Sequence, residues 1–185
     1  MTAGFGAADA FHGPRSGRTL AAAAIAIVLT TVLAFVTIAI VYVIGIRSGN
    51  PAVRNAARRF HHALGNPIQM RSAGTPGAYA SVIRHQGRKT GRTYETPVWA
   101  AATEDGFVVP MVYGAGSDWL RNVLASGSAV IVHDGVASRL EHPEVISLDG
   151  VRAYFPVMTQ LAHGLVGVER CLRVTRVDVK EIFDD

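Results

Sequence analysis

At 185 residues and a formal net charge of +4, the chain has room for one domain plus an appendage. Its basic excess is too small and scattered to argue for nucleic acid, and suits anionic lipid headgroups or an anionic cofactor instead. A single cysteine, Cys171, excludes an intramolecular disulfide and any multi-cysteine zinc or iron-sulfur site.

Residues 1–18 are rich in Gly and Ala without periodicity, which predicts a disordered tail. The run Leu20–Ile46 contains no charge. At 1.5 Å per residue it reaches about 40 Å, more than the hydrocarbon core of a bilayer, and predicts a transmembrane helix over residues 19–47. A signal-peptide core is shorter, about 7 to 15 residues. A core helix apolar on every face would need a larger protein around it. Arg15 and Arg18 precede the run, whereas Arg47, Arg54, Arg58 and Arg59 follow it. That asymmetry predicts a single-pass protein with its C-terminal domain in the cytoplasm.

Asn50-Pro51 reads as an N-cap and first helical position. Val53, Ala56, Ala57, Phe60 and Leu64 then recur at helical spacing, with Arg54, Arg58, Arg59 and His62 on other faces. Residues 48–66 are therefore expected to form an amphipathic connecting helix, lying on a membrane surface or packed on the domain, and ended by Gly65-Asn66-Pro67.

Residues 67–185 carry the β pattern. Strands are expected at 79–85, 92–101, 107–112, 129–133, 136–141, 144–148 and 172–179, with Asp134-Gly135 as the clearest hairpin turn. A helix is expected at 118–125, capped by Ser117 and stopped by Gly127, and a weaker one at 149–165, interrupted by Pro156 and Gly164. Six or seven short strands with few helices make the fold class mainly β (α+β), a small barrel.

Two stretches carry the chemistry. In Gly87-Arg88-Lys89-Thr90-Gly91, two glycines bracket two cations and a hydroxyl. The spacing suits an anion site, an ordinary hairpin turn being the alternative. In Tyr113-Gly114-Ala115-Gly116-Ser117-Asp118-Trp119, a tyrosine, a glycine loop and a tryptophan at a helix start form a place for a flat ring.

Together these stretches resemble the deazaflavin-dependent nitroreductase family, which includes quinone reductases using coenzyme F-420. The similarity covers roughly residues 66–177. It implies an FMN-binding-like split β-barrel with the coenzyme in a groove. Gly87, Arg88, Lys89, Thr90 and Gly91 would hold the phosphate and oligoglutamate tail, with Pro97 and Val98 beside the ring. Tyr113, Gly114, Trp119 and Asn122 would form the segment that closes over it. Many relatives have arginine where this chain has Tyr94, so Arg92 is expected to take that role. The resemblance also admits a homodimer.

The chain has no Gly-x-Ser-x-Gly elbow, no His-Glu-x-x-His and no dinucleotide fingerprint after a strand. The histidines are scattered, so no metal is expected. Hydride transfer to a quinone or nitro acceptor builds negative charge on oxygen, and Tyr113 and Tyr154, with His163 behind them, are the candidates to stabilise it. Tyr154 reads more readily as a core aromatic, Trp119 equally as a packing residue, and Trp99 chiefly as one. The tyrosines that nitro-reducing relatives place after this point are absent from Phe155-Pro156-Val157-Met158-Thr159-Gln160. The expected activity is thus hydride transfer from reduced coenzyme F-420 to a lipophilic acceptor such as a quinone. A non-catalytic cofactor- or lipid-binding barrel, and an FMN-dependent reductase, are the alternatives.

Overall fold

The structure, a computed structural model, describes residues 15–177. It divides between Val41 and Tyr42 into a helical unit and a folded unit. Helix α1 (Arg15–Arg47) takes in the whole uncharged run, and its first turn includes residues predicted as tail. The rest of that predicted tail lies outside the described residues. Within α1, Thr19–Arg47 is long and apolar enough to cross a membrane. Three of its threonine hydroxyls bond back to the helix itself. The hydroxyls of Thr31 and Thr37 donate to the carbonyls of Ile27 and Leu33, at 2.8 and 2.9 Å, and Thr30 donates to Ala26 at 2.9 Å. Such back-bonding leaves few bare polar groups in an apolar medium.

In the folded unit, Asn50 caps α2 (Pro51–Phe60), its Oδ1 accepting from the amide of Ala52 at 2.9 Å. The helix does not end at Gly65-Asn66-Pro67, as the sequence suggests. It widens into a π turn, His61–Gly65, and continues as α3 (Asn66–Gln69). The Asn66 amide bonds back to the His61 carbonyl, five residues earlier. The wider turn makes room for Pro67, whose ring would otherwise meet the preceding turn.

Seven antiparallel strands follow, in the order β2-β1-β5-β6-β7-β4-β3, and curl into a half-barrel. They are β1 (Ser81–Gln86), β2 (Thr93–Val98), β3 (Ala101–Ala102), β4 (Gly106–Pro110), β5 (Ser128–His133), β6 (Val136–Ser147) and β7 (Arg170–Arg176). Two expected strands, 136–141 and 144–148, are one strand, β6, bent at an irregularity between Glu141 and Glu144. His142 takes up the bend with φ 52°. Such a bulge lets one strand pair with β5 in its first half and β7 in its second, which curls the sheet. The last predicted strand ends sooner than expected, at Arg176, and its remainder beyond residue 177 lies outside the described residues.

The apolar sequence of β4 follows from burial on both faces. Phe107 and Val109 join Ile83, Leu120, Val123, Ile131, Leu140, Leu172 and Val174 in one core, on the side of α4 (Asp118–Ser126). Val108 faces the other way, with Leu148, Phe155, Val168 and Cys171 in a second core. The expected helix 149–165 is split in two by Pro156, into a 3-10 turn, Asp149–Tyr154, and α5 (Val157–Val166). Ser117 stands at the N-cap of α4 with extended backbone, but its hydroxyl makes no capping bond. Gly127 ends that helix at φ 72°.

Candidate functional site

A groove of about 820 Å³ opens between the β1–β2 turn, β2, the start of α4 and the α2–π–α3 run. The basic turn owes its shape to its glycines. The Gly87 carbonyl accepts from the amides of Thr90 and Gly91, at 3.1 and 2.7 Å, and Gly91 sits at φ 65°, which a side chain rarely adopts. A Cβ on Gly87 would come within 2.6 Å of Thr90 Oγ1 and the Tyr94 ring.

Arg88 of the turn does not splay outward. Arg88 Nη1 donates to Asn122 Oδ1 at 2.8 Å, and its amide donates to the same oxygen at 3.2 Å. Arg88 Nη2 meets Asp118 Oδ1 at 3.0 Å. The turn is therefore tied to the first turns of α4. Asn122 is itself buried and held, its Nδ2 facing His85 Nδ1 at 3.1 Å. Because the Asn122 oxygen serves Arg88, its amide nitrogen must donate to His85. That makes Nδ1 of His85 an acceptor, and leaves Nε2–H to donate to Thr96 Oγ1 at 3.2 Å. Burial pushes the His85 imidazole below its ordinary range, and the Asp118 charge opposes this only in part. The neutral tautomer that this network needs is thus the one that burial favours.

A ligand anion at this end would meet Lys89, the Thr90 hydroxyl and the remaining guanidinium N–H groups of Arg88, and would compete with the Asp118 carboxylate. Asp118 is largely exposed, so it can swing aside at small cost.

Farther along lie Pro97, Val98, Trp119 and Tyr113. Trp119 is half-buried and also packs on the first core, so one indole serves both the packing and the groove wall. Tyr113 rests against the His61 ring, centroids 5.3 Å apart. Burial, aided by the hydroxyl of Tyr42, raises the Tyr113 phenol well above its usual range. Tyr113 is consequently a hydrogen-bond donor at neutral pH, suited to meet a developing oxyanion without becoming a phenolate. His61 is held neutral by burial.

Of the residues expected to bind a cofactor, Gly87, Arg88, Lys89, Thr90, Pro97, Val98, Tyr113, Trp119 and Asn122 line this one groove. Gly91 lines a smaller recess of about 340 Å³ on the other side of the turn, with Gln86 and Ser126. Gly114 supports the Tyr113 loop beside Arg54 without lining the groove. Arg92 is exposed and lines neither cavity; Tyr94 occupies the groove instead, its ring stacked on His85 at 5.9 Å and its hydroxyl 3.2 Å from Thr90 Oγ1. Tyr94 lies within β2, paired across the ladder with His85, whereas Arg92 lies in the turn before the strand. Tyr154 is also outside the groove. It sits half-exposed on the 3-10 turn, while His163 is buried in α5 against Phe155.

Sequence reasoning missed a whole wall: Arg58, His61, His62, Asn66 and Met70 from the α2–π–α3 run. Phe60, Leu64 and Ile68 recur every four residues through Pro67, a period that signals an uninterrupted helix. Among the described residues, no group of three His, Cys, Asp or Glu side chains is placed to hold a metal ion. A scan against protein-family models finds no match to this chain, and a search of the curated proteins finds none similar to it.

Proposed function

We propose that this chain is a membrane-anchored oxidoreductase, built on an FMN-binding-like split β-barrel, that passes a hydride from reduced deazaflavin coenzyme F-420 to a lipophilic acceptor such as a quinone. The observation that carries the reading is the convergence of a cationic turn and a flat, half-apolar wall in one groove of about 820 Å³. That size suits a fused-ring ligand with a charged tail. When bound, the coenzyme supplies the hydride, and the chain supplies position, charge and exclusion of water.

Each part of the groove then has a task. Arg88, Lys89 and Thr90 hold phosphate and carboxylate groups, and Asn122 keeps Arg88 in place. Pro97, Val98 and Trp119 cover the ring faces. Tyr113 donates a hydrogen bond to the acceptor oxygen as charge builds there. With the Tyr113 phenol raised, this hydroxyl stabilises the developing charge as a hydrogen-bond donor without giving up its proton.

The anchor supports the choice of acceptor, since a tethered enzyme meets a membrane-confined substrate at raised local concentration. The arginines after α1 favour a cytoplasmic folded unit, which a reporter fused after Asp185 reads directly. The decisive experiment mixes the detergent-solubilised full chain with reduced coenzyme F-420 and a soluble quinone. Return of the oxidised deazaflavin absorbance is expected. Binding without turnover leaves a non-catalytic cofactor-binding protein, and equal or tighter binding of FMN makes it a flavin enzyme.

A further inference from the structure

Helix α5 has two faces of opposite character. Thr159 and His163, one turn apart, are buried, the His163 ring meeting Phe155 edge-on at 5.1 Å between centroids. On the other side Val157, Met158, Leu161 and Leu165 are 70%, 76%, 63% and 61% exposed. The helix contains no Asp, Glu, Lys or Arg. A helix facing water ordinarily carries charge on its outer side, and four large apolar side chains in one stripe mark a contact surface.

The position of α5 says what covers that stripe. Arg47, the first charged residue after the apolar run of α1, donates from Nη1 to the Gly164 carbonyl of α5 at 2.7 Å. Gly167, the left-handed cap of α5 at φ 69°, lies so close that an added Cβ would stand 3.1 Å from Arg47 Cγ. The last turn of α5 is thus fastened to the residue where the apolar run ends. A guanidinium there sits at headgroup depth, so Leu161 and Leu165, within one turn of Gly164, fall at the boundary between headgroups and acyl chains.

We propose that the outer face of α5 is a lipid-contact surface, dipping its stripe into the bilayer beside the exit of the anchor. This rests on the reading of α1 as a membrane anchor. The ligand chemistry is acyl chain rather than charged headgroup, because the helix offers no cation, and the contact is accordingly insensitive to salt.

The test uses the full chain reconstituted in vesicles of phosphatidylcholine with a minor share of phosphatidylglycerol. An environment-sensitive fluorophore is placed on Leu161→Cys, on Leu165→Cys, on Ala34→Cys within α1, and on Glu104→Cys. Cys171 is buried and stays unlabelled. Glu104 belongs to the turn at the far end of β7 from α5, where the Arg176 amide meets the Asp105 carbonyl at 2.8 Å. Blue-shifted emission and quenching by brominated lipid are expected at positions 161, 165 and 34 and not at 104, unchanged in high salt. Quenching at 34 without quenching at 161 and 165 overturns the α5 surface and leaves the anchor standing. Absence of quenching at 34 as well sinks both readings. Unquenched 161 labels that instead cross-link efficiently between copies assign the stripe to self-association and overturn the proposal.

Discussion

Replacing Asn122 with leucine should unlock the basic turn from α4. The asparagine oxygen accepts from the Arg88 amide and guanidinium at 3.2 and 2.8 Å, and its nitrogen faces His85 at 3.1 Å. A neutral hydrogen bond contributes about 1 kcal/mol and one to a charged group about 1.5 to 3 kcal/mol. Water reaching the quarter of the Arg88 side chain that is exposed recovers part of this, leaving a loss of about 3 kcal/mol. With a slope of about 2 kcal/mol per molar urea, the unfolding midpoint should fall by about 1.5 M. Both tryptophans, Trp99 and Trp119, lie in the folded unit, so their emission follows its unfolding in detergent micelles. Asp118→Ala is the control. Asp118 is 79% exposed, and its pair with Arg88 should contribute less than about 1 kcal/mol, a shift under about 0.5 M. Equal shifts for the two variants, or a larger one for Asp118, would refute the claim that the buried amide rather than the ion pair holds the turn.

Arg88→Ala combined with Lys89→Ala should weaken binding of the anionic coenzyme by more than tenfold, each lost charge-assisted bond contributing about 1.5 to 3 kcal/mol, and should lower the ligand-free unfolding midpoint by less than Asn122→Leu does, because the guanidinium bond to Asn122 is lost while the Arg88 amide and His85 bonds to Asn122 remain. Asp118→Ala should act in the opposite direction, raising affinity for the same ligand up to about fivefold, because a competing carboxylate is gone. Both are read by equilibrium titration. Burial lowers the pKa of His163, and both its ring nitrogens lack partners among the described residues. The unfolded chain therefore binds the proton first, and stability falls as pH drops below about 6.5 until the folded-state value is passed, with a slope of at most about 1.4 kcal/mol per pH unit for this group. His163→Leu should flatten urea midpoints measured across that window, and an unchanged slope would assign the acid sensitivity to His85 and His61. Burial pushes the Cys171 thiol up to about 11, so alkylation should proceed only on unfolding.

Much of the local structure is legible in the chain. The Asn50 cap, the Asp134-Gly135 hairpin and the Gly127 helix stop each express a local backbone preference, and each stands where the residues place it. Errors arose where a distant partner overrode a local signal. Pro67 and Gly65 look like a helix end, but a π turn absorbs the proline and continues the helix as a groove wall. His142-Pro143 looks like a break between strands, yet β7 supplies a partner for the second half of β6, and the break becomes a bulge. Tyr154 looks like a site residue by its chemistry, but the 3-10 turn carries it away from the groove.

The sequence alone determined the apolar helix, the antiparallel strands and the glycine-bracketed basic turn, because each depends on residues within a few positions of one another. Only the tertiary structure decided that Arg88 faces inward, since its partners, Asp118 and Asn122, are 30 and 34 residues away. It likewise decided that His61 and Tyr113 share a wall and that α5 reaches back to Arg47. Those pairings follow from the curl of the sheet, which is a property of packing across the whole folded unit and has no signature in any one segment.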